Sequence, residues 1–160
     1  MILYFLRNGV AGSREEWKSD DALRPLTKKG MKNMVSQAKT IAEMDLKLDL
    51  IITSPLARAF QTADIVADEL ELGDKLVQDE RLGPGFGIDD LVKILQDYPD
   101  ADNIMLVGHE PDFSQTISAL IGGGRLLVKK GGLACVDVIN ADPLHGELVW
   151  LLPPRVMNRS

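Results

Sequence analysis

A chain of 160 residues has room for one domain with a sizeable core. Hydrophobic residues make up 45% and charged residues 26%, the balance of a soluble globular protein. A net charge of -6 argues against broad nucleic-acid or anionic-membrane binding, so a local cluster of arginines would mark a site rather than a general coat.

Met1–Leu6 is a short, fully apolar run, as expected of a central strand covered on both faces. Val10–Arg24 is polar and irregular and reads as a loop. Thr27 is placed to cap a helix running to about Met44, with Met31, Met34, Val35, Ala38, Ile41 and Ala42 as its apolar stripe. Leu50–Thr53 reads as a second strand. Ser54-Pro55 then reads as a helix start, Ser as cap and Pro at the first helical position. That helix would turn Ala59, Ala63, Val66, Ala67 and Leu70 inward and end near Gly73.

Pro84–Gly87 reads as a loop, Asp89–Asp97 as a short helix and Ile104–Val107 as a third strand, followed by a helix from about Pro111 to Ile121. Gly122–Gly124 is a turn. It does not lead from a strand into a helix, so it is no dinucleotide loop. Leu133–Ile139 and Leu148–Leu152 are two late strands, the first carrying the lone cysteine, Cys135, as a buried structural thiol. A single cysteine excludes an internal disulfide framework and fits a reducing compartment. No apolar stretch approaches the roughly 20 residues that span a bilayer, and no signal peptide is evident. The expected location is therefore the cytoplasm.

Strands alternating with helices predict an α/β fold: a three-layer αβα sandwich, its central sheet mostly parallel, with helices on both faces, forming one domain over 1–160. In such sheets ligands bind beyond the carboxyl ends of the strands. Arg7 and Asn8 follow the first strand, Ser54 and Arg58 the second, and His109 with Glu110 the third. All should emerge at one edge. Two arginines offer forked donors matched to phosphate oxygens, the expected helix start at Ser54 favours an anion, and His109 would add a donor able to charge near neutral pH. Each residue alone has a bland reading, as a surface ion pair or a scaffold hydrogen bond. Three at corresponding strand ends point to a pocket for a tetrahedral phosphoryl group.

On these residues the chain resembles the histidine phosphatase superfamily, and within it the small SixA-like protein-histidine phosphatases of phosphoglycerate mutase-like fold. The matching segments are Leu6–Gly9, Arg24–Thr27 through Gly30, Ser54–Ala59 with Gln61–Ala63, Val107–Asp112 and Leu151–Arg155. The resemblance implies a metal-free site with no cofactor. It implies that Arg7 and Arg58 hold the phosphoryl oxygens and that His109 stabilises their charge in the transition state. Arg24 either extends that phosphate site or closes its loop through an ion pair; both readings stay open. The partner implied is a phosphohistidine-bearing signalling or phosphotransfer protein, with phosphate-mimicking anions as further ligands.

The family motif after the first strand is Arg-His-Gly, whose His becomes phosphorylated; here the residue is Asn8. An amide nitrogen is delocalised into its carbonyl and is a poor nucleophile, yet it still donates a hydrogen bond. Phosphate recognition should survive while covalent turnover falls by at least about 10³-fold. Asn8 would make the chain either an altered form of a His-bearing phosphatase or a natural pseudophosphatase that binds phosphohistidine. A third possibility gives the nucleophilic role to His109.

Relatives resembling mutases carry a carboxylic proton donor just after an Arg-Leu pair. Here Arg81-Leu82 is followed by Gly83-Pro84, and Glu80, one pair too early, reads as a surface residue. Expelling an alkoxide needs such an acid far more than expelling imidazole does. The missing acid therefore favours phosphohistidine over a small-molecule phosphate ester.

Overall fold

Four consecutive buried residues, Leu3 to Leu6, lie within strand β1 (Ile2–Arg7). Their side chains alternate between two separate cores: Leu3 and Phe5 join one, Tyr4 and Leu6 the other. This is what a two-faced central strand requires, and it accounts for the unbroken apolar run. The computed structural model describes residues 1–158; the last two positions of the expected 1–160 domain lie outside the described residues.

β1 pairs in parallel with β4 (Asn103–Gly108), and β4 with β2 (Leu50–Thr53). β2 carries a short parallel edge strand, β3 (Leu76–Gln78). On the other side of β1 lies an antiparallel hairpin of β5 (Leu133–Ala141) and β6 (Leu144–Leu152). The sheet order is β3-β2-β4-β1-β5-β6, mostly parallel as expected. β3 was not foreseen, because three residues leave no readable alternation. β6 begins four residues earlier than expected, completing the hairpin.

Helices α1 (Lys28–Glu43) and α2 (Ala57–Glu69) cover one face, joined by a single turn, α5 (Pro154–Met157), that sequence reading missed. Helices α3 (Ile88–Asp97) and α4 (Asp112–Leu120) cover the other. The chain is thus the expected three-layer α/β sandwich. No helix among the described residues is long and apolar enough to cross a membrane.

Thr27 caps α1 as expected, its Oγ1 accepting from the Gly30 amide at 2.9 Å. The apolar stripe needs correcting. Met34, Gln37, Ala38 and Ile41 are buried, whereas Met31, Val35 and Ala42 are exposed. The buried face is rotated towards Gln37, whose amide reaches the Pro154 carbonyl of α5. The start of α2 also differs: the cap position is Leu56 rather than Ser54, and the helix begins at Ala57.

At the end of β4, Gly108 lets the chain pass the ring of Phe113; a Cβ there would lie 2.8 Å from Phe113 Cζ. Phe113 in turn packs edge-on against Phe5 and Phe86, with ring centroids 5.2 and 5.8 Å apart. Each such pair adds about 0.5–1.5 kcal/mol beyond simple burial. This packing fixes the path of the backbone into His109.

Candidate active site

The ends of β1, β2 and β4 are stitched together before any side chain acts. The Asn8 amide donates to the Gly108 carbonyl at 3.0 Å, and the Ser54 amide to the Val107 carbonyl at 2.9 Å. Beyond them opens a cleft of about 540 Å³ lined by Arg7, Asn8, Arg24, Arg58 and His109, with Arg14, Lys130, Glu110 and Asp112 around them. Arg7, Asn8, Arg24, Arg58 and His109 therefore meet as expected, while Ser54 stands apart.

Ser54 is fully buried and does not line the cleft, so its expected phosphate contact is corrected. Its hydroxyl sits 2.8 Å from His109 Nε2 and also accepts from the Leu56 amide. It supports His109 from behind, because α2 starts too late for Ser54 to cap it.

Asn8 is 7% exposed. Its Nδ2 donates to the Gly9 carbonyl at 2.8 Å, which leaves Oδ1 facing His109 Nδ1 at 3.2 Å. An amide oxygen only accepts, so Nδ1 carries the proton of the neutral ring. Nε2 then accepts from the Ser54 hydroxyl. Both ring nitrogens are occupied within the protein.

Burial pushes His109 down to about 4, with Arg58 and then Arg7 adding to the effect. The expectation of a histidine charged near neutrality is thus corrected for the free pocket: the ring is neutral there. Buried Arg58 and half-buried Arg7 already supply the positive field, and a further cation would be desolvated beside them.

Arg7 donates from Nη1 to the Val128 carbonyl at 2.9 Å. Arg58 and Arg24 converge on one residue that sequence reading missed. Asp21 accepts from Arg24 Nε at 2.9 Å and Arg58 Nη2 at 3.2 Å, and its carbonyl accepts from Arg58 Nη1 at 3.0 Å. Arg24 also donates to the Gly12 carbonyl. Arg24 closes the loop through Asp21 and also lines the cleft. The hydrogen bond from Arg24 leads in holding the Asp21 carboxyl below its ordinary range. Asp21 lies in the 3-10 turn Asp21–Leu23, within a segment expected to be irregular, and nothing in its local pattern marks it.

An Asp21→Ala variant leaves two nearly buried guanidiniums short of a partner. It is expected to lose about 1–2 kcal/mol in a urea titration, the half-exposed carboxylate reducing the effect. An unchanged midpoint would show that the arginines hold their places unaided.

The carboxylates near the site differ in role. Glu80 is exposed and outside the cleft, as expected. Arg81, the other half of that segment, is clamped by Asp79 and Asp97. Glu110 does line the cleft, but its oxygens accept from the Ser114 amide and hydroxyl. Asp112 accepts from the Gly85 amide at 2.9 Å. Glu110 is thus engaged through both oxygens and Asp112 through one.

A model of the histidine phosphatase superfamily (branch 1) matches residues 3–84. The chain belongs to this superfamily. An uncharacterised protein from Picosynechococcus is 36% identical over 139 residues, covering 83% of this chain and 82% of that one. Among solved structures, the protein histidine phosphatase SixA complexed with tungstate superposes with a TM-score of 0.87. Its identity is 21%, and the match covers 99% of this chain and 100% of SixA. The alpha-ribazole phosphatase from Shigella flexneri superposes with a TM-score of 0.74 at 20% identity, covering 96% and 97% of the two chains. At these identities the structural likenesses establish a common fold.

Proposed function

We propose that this chain binds the phosphoryl group of phosphohistidine on a signalling or phosphotransfer protein in the cytoplasm, and that as it stands it turns that group over poorly. The whole chain acts as one domain. Arg7, Arg58 and Arg24 hold the phosphoryl oxygens, His109 lies beside them, and Asn8 stands where a nucleophile would.

The observation that carries this reading is the amide of Asn8 on the cleft wall. It is hydrogen-bonded to Gly9 and His109 and has no reactive lone pair to offer phosphorus. The likeness to SixA, whose structure was solved complexed with tungstate, supports oxyanion binding by this chain. Both oxygens of Glu110 are engaged with Ser114, which supports a ligand whose departure needs no strong acid. A phosphate ester of a small molecule lacks that advantage.

Calorimetric titration with a phosphohistidine peptide and its phosphoserine counterpart tests the reading, with free phosphate assayed alongside. Tighter binding of the phosphohistidine peptide, recovered intact, is expected. Rapid phosphate release by the unaltered chain, or stronger binding of small sugar phosphates, would overturn it.

A further inference from the structure

Residues 125–130, Arg-Leu-Leu-Val-Lys-Lys, carry three cations and no anion in a chain of net charge -6. They form a loop between α4 and β5, preceded by Gly122, Gly123 and Gly124, all at positive φ. Burial alternates along it: Val128 is fully buried and Leu126 packs on the core, while Leu127 is exposed between them. Leu127 is 62% exposed. Arg125, Lys129 and Lys130 are exposed as well, and none forms an ion pair among the described residues.

The loop is rooted in the site. The Val128 carbonyl accepts from Arg7, and the Gly131 amide donates to the Arg7 and Asn8 carbonyls, each at 3.1 Å. Lys130 lines the cleft itself, whereas Arg125, Leu127 and Lys129 do not. A ligand small enough to sit wholly in the cleft therefore leaves the outer part of the loop unused. Leu23, 59% exposed and next in sequence to the cleft residue Arg24, is a second apolar group near the site.

We propose that this loop is the docking surface for the phosphorylated partner protein, and that the partner presents an acidic surface around its phosphorylated residue. Leu127 gives apolar contact, Arg125 and Lys129 pair with carboxylates, and Lys130 bridges to the cleft. The inference rests on the phosphoprotein-binding reading above. An anionic membrane would also meet a basic loop, but Lys130 continues the loop into a cleft of about 540 Å³, a recess that a flat bilayer surface leaves unfilled.

Four peptides separate the two readings: phosphohistidine or phosphoserine, each with Asp/Glu-rich or Lys-rich flanks. The flanks test the docking surface and the phosphorylated residue tests the ligand, so either reading can fail alone. The chain is expected to favour acidic flanks by about tenfold or more at low salt, for both phospho-residues, with the preference fading as salt rises. An Arg125→Glu/Lys129→Glu variant should lose that preference while binding tungstate as before, and Leu127→Ser should weaken every acidic-flanked peptide. Equal binding of both flanks overturns the proposal. So does a preference that survives in the double variant, or loop-dependent cosedimentation with phosphatidylserine vesicles in place of peptide binding.

Discussion

An Asn8→His variant is expected to release phosphate from a phosphohistidine-bearing protein at least about 10³-fold faster than the unaltered chain. The geometry favours this repair. Asn8 Nδ2 already donates to the Gly9 carbonyl, a bond that the Nδ1–H of a histidine can take over. The ring then reaches one atom further, and its Nε2 carries a lone pair. That pair forms the new N–P bond as the P–N bond to the substrate imidazole breaks. The imidazole leaves with the electron pair and takes up a proton, and water then hydrolyses the phosphoenzyme. Arg7 and Arg58 line the same cleft, and on the reading proposed above they would hold the phosphoryl oxygens.

The change also has a local consequence. His109 Nδ1 loses the Asn8 Oδ1 acceptor, and the ring is free to move its proton to Nε2 and donate to Ser54. Single-turnover phosphate release, with trapping of an acid-labile phosphoenzyme, measures the gain. Fast release by the unaltered chain would move the nucleophilic role elsewhere, to His109 first. An inert variant that still binds tungstate would leave the pocket as a receptor only, or point to another substrate.

The strand ends were legible because their physics is local. Continuous apolar runs mark β1, β2 and β4, and the polar residues that follow them have nowhere to go but the edge of the sheet. Arg7, Asn8, Arg58 and His109 were found that way. Asp21 was not, because a carboxylate in an irregular segment shows its role only when two arginines from distant segments meet it. Lys130 reaches the cleft from a loop that sequence reading passed over.

Ser54 was misread for a different reason. Ser-Pro is a sound helix-start signal, but the hydroxyl engages His109 and the helix begins at Ala57. In α1 the apolar count favoured Met31 and Val35, while packing chose the neighbouring stripe with Gln37 in it. Periodicity identifies a helix more securely than it fixes which face is buried, since one polar residue on the inner face shifts the apparent stripe.

Anion binding should tighten as pH falls from about 6.5 towards 4, by about tenfold per unit. In the free pocket burial keeps His109 neutral down to about 4, and Arg58 and Arg7 reinforce it. A bound dianion offsets those two charges and restores the incentive to protonate. The surroundings accept the proton with only a hydroxyl rotation: Asn8 Oδ1 already receives Nδ1–H, and the turned Ser54 hydroxyl can receive Nε2–H. Asp21 adds a pull in the same direction, and Arg24 opposes it.

Stability follows the opposite course in the free protein. Because the folded His109 is depressed below its unfolded value, its contribution is complete above about pH 6.5 and is lost as pH falls towards 4, roughly 3 kcal/mol in all. Sulfate, whose charge is constant in this window, should return much of that loss. Sulfate titrations and thermal melts at successive pH values, repeated with His109→Gln, read both effects. The variant should flatten both profiles. If sulfate affinity does not vary with pH in the unaltered chain, His109 stays neutral in the liganded pocket and the arginines carry the anion alone.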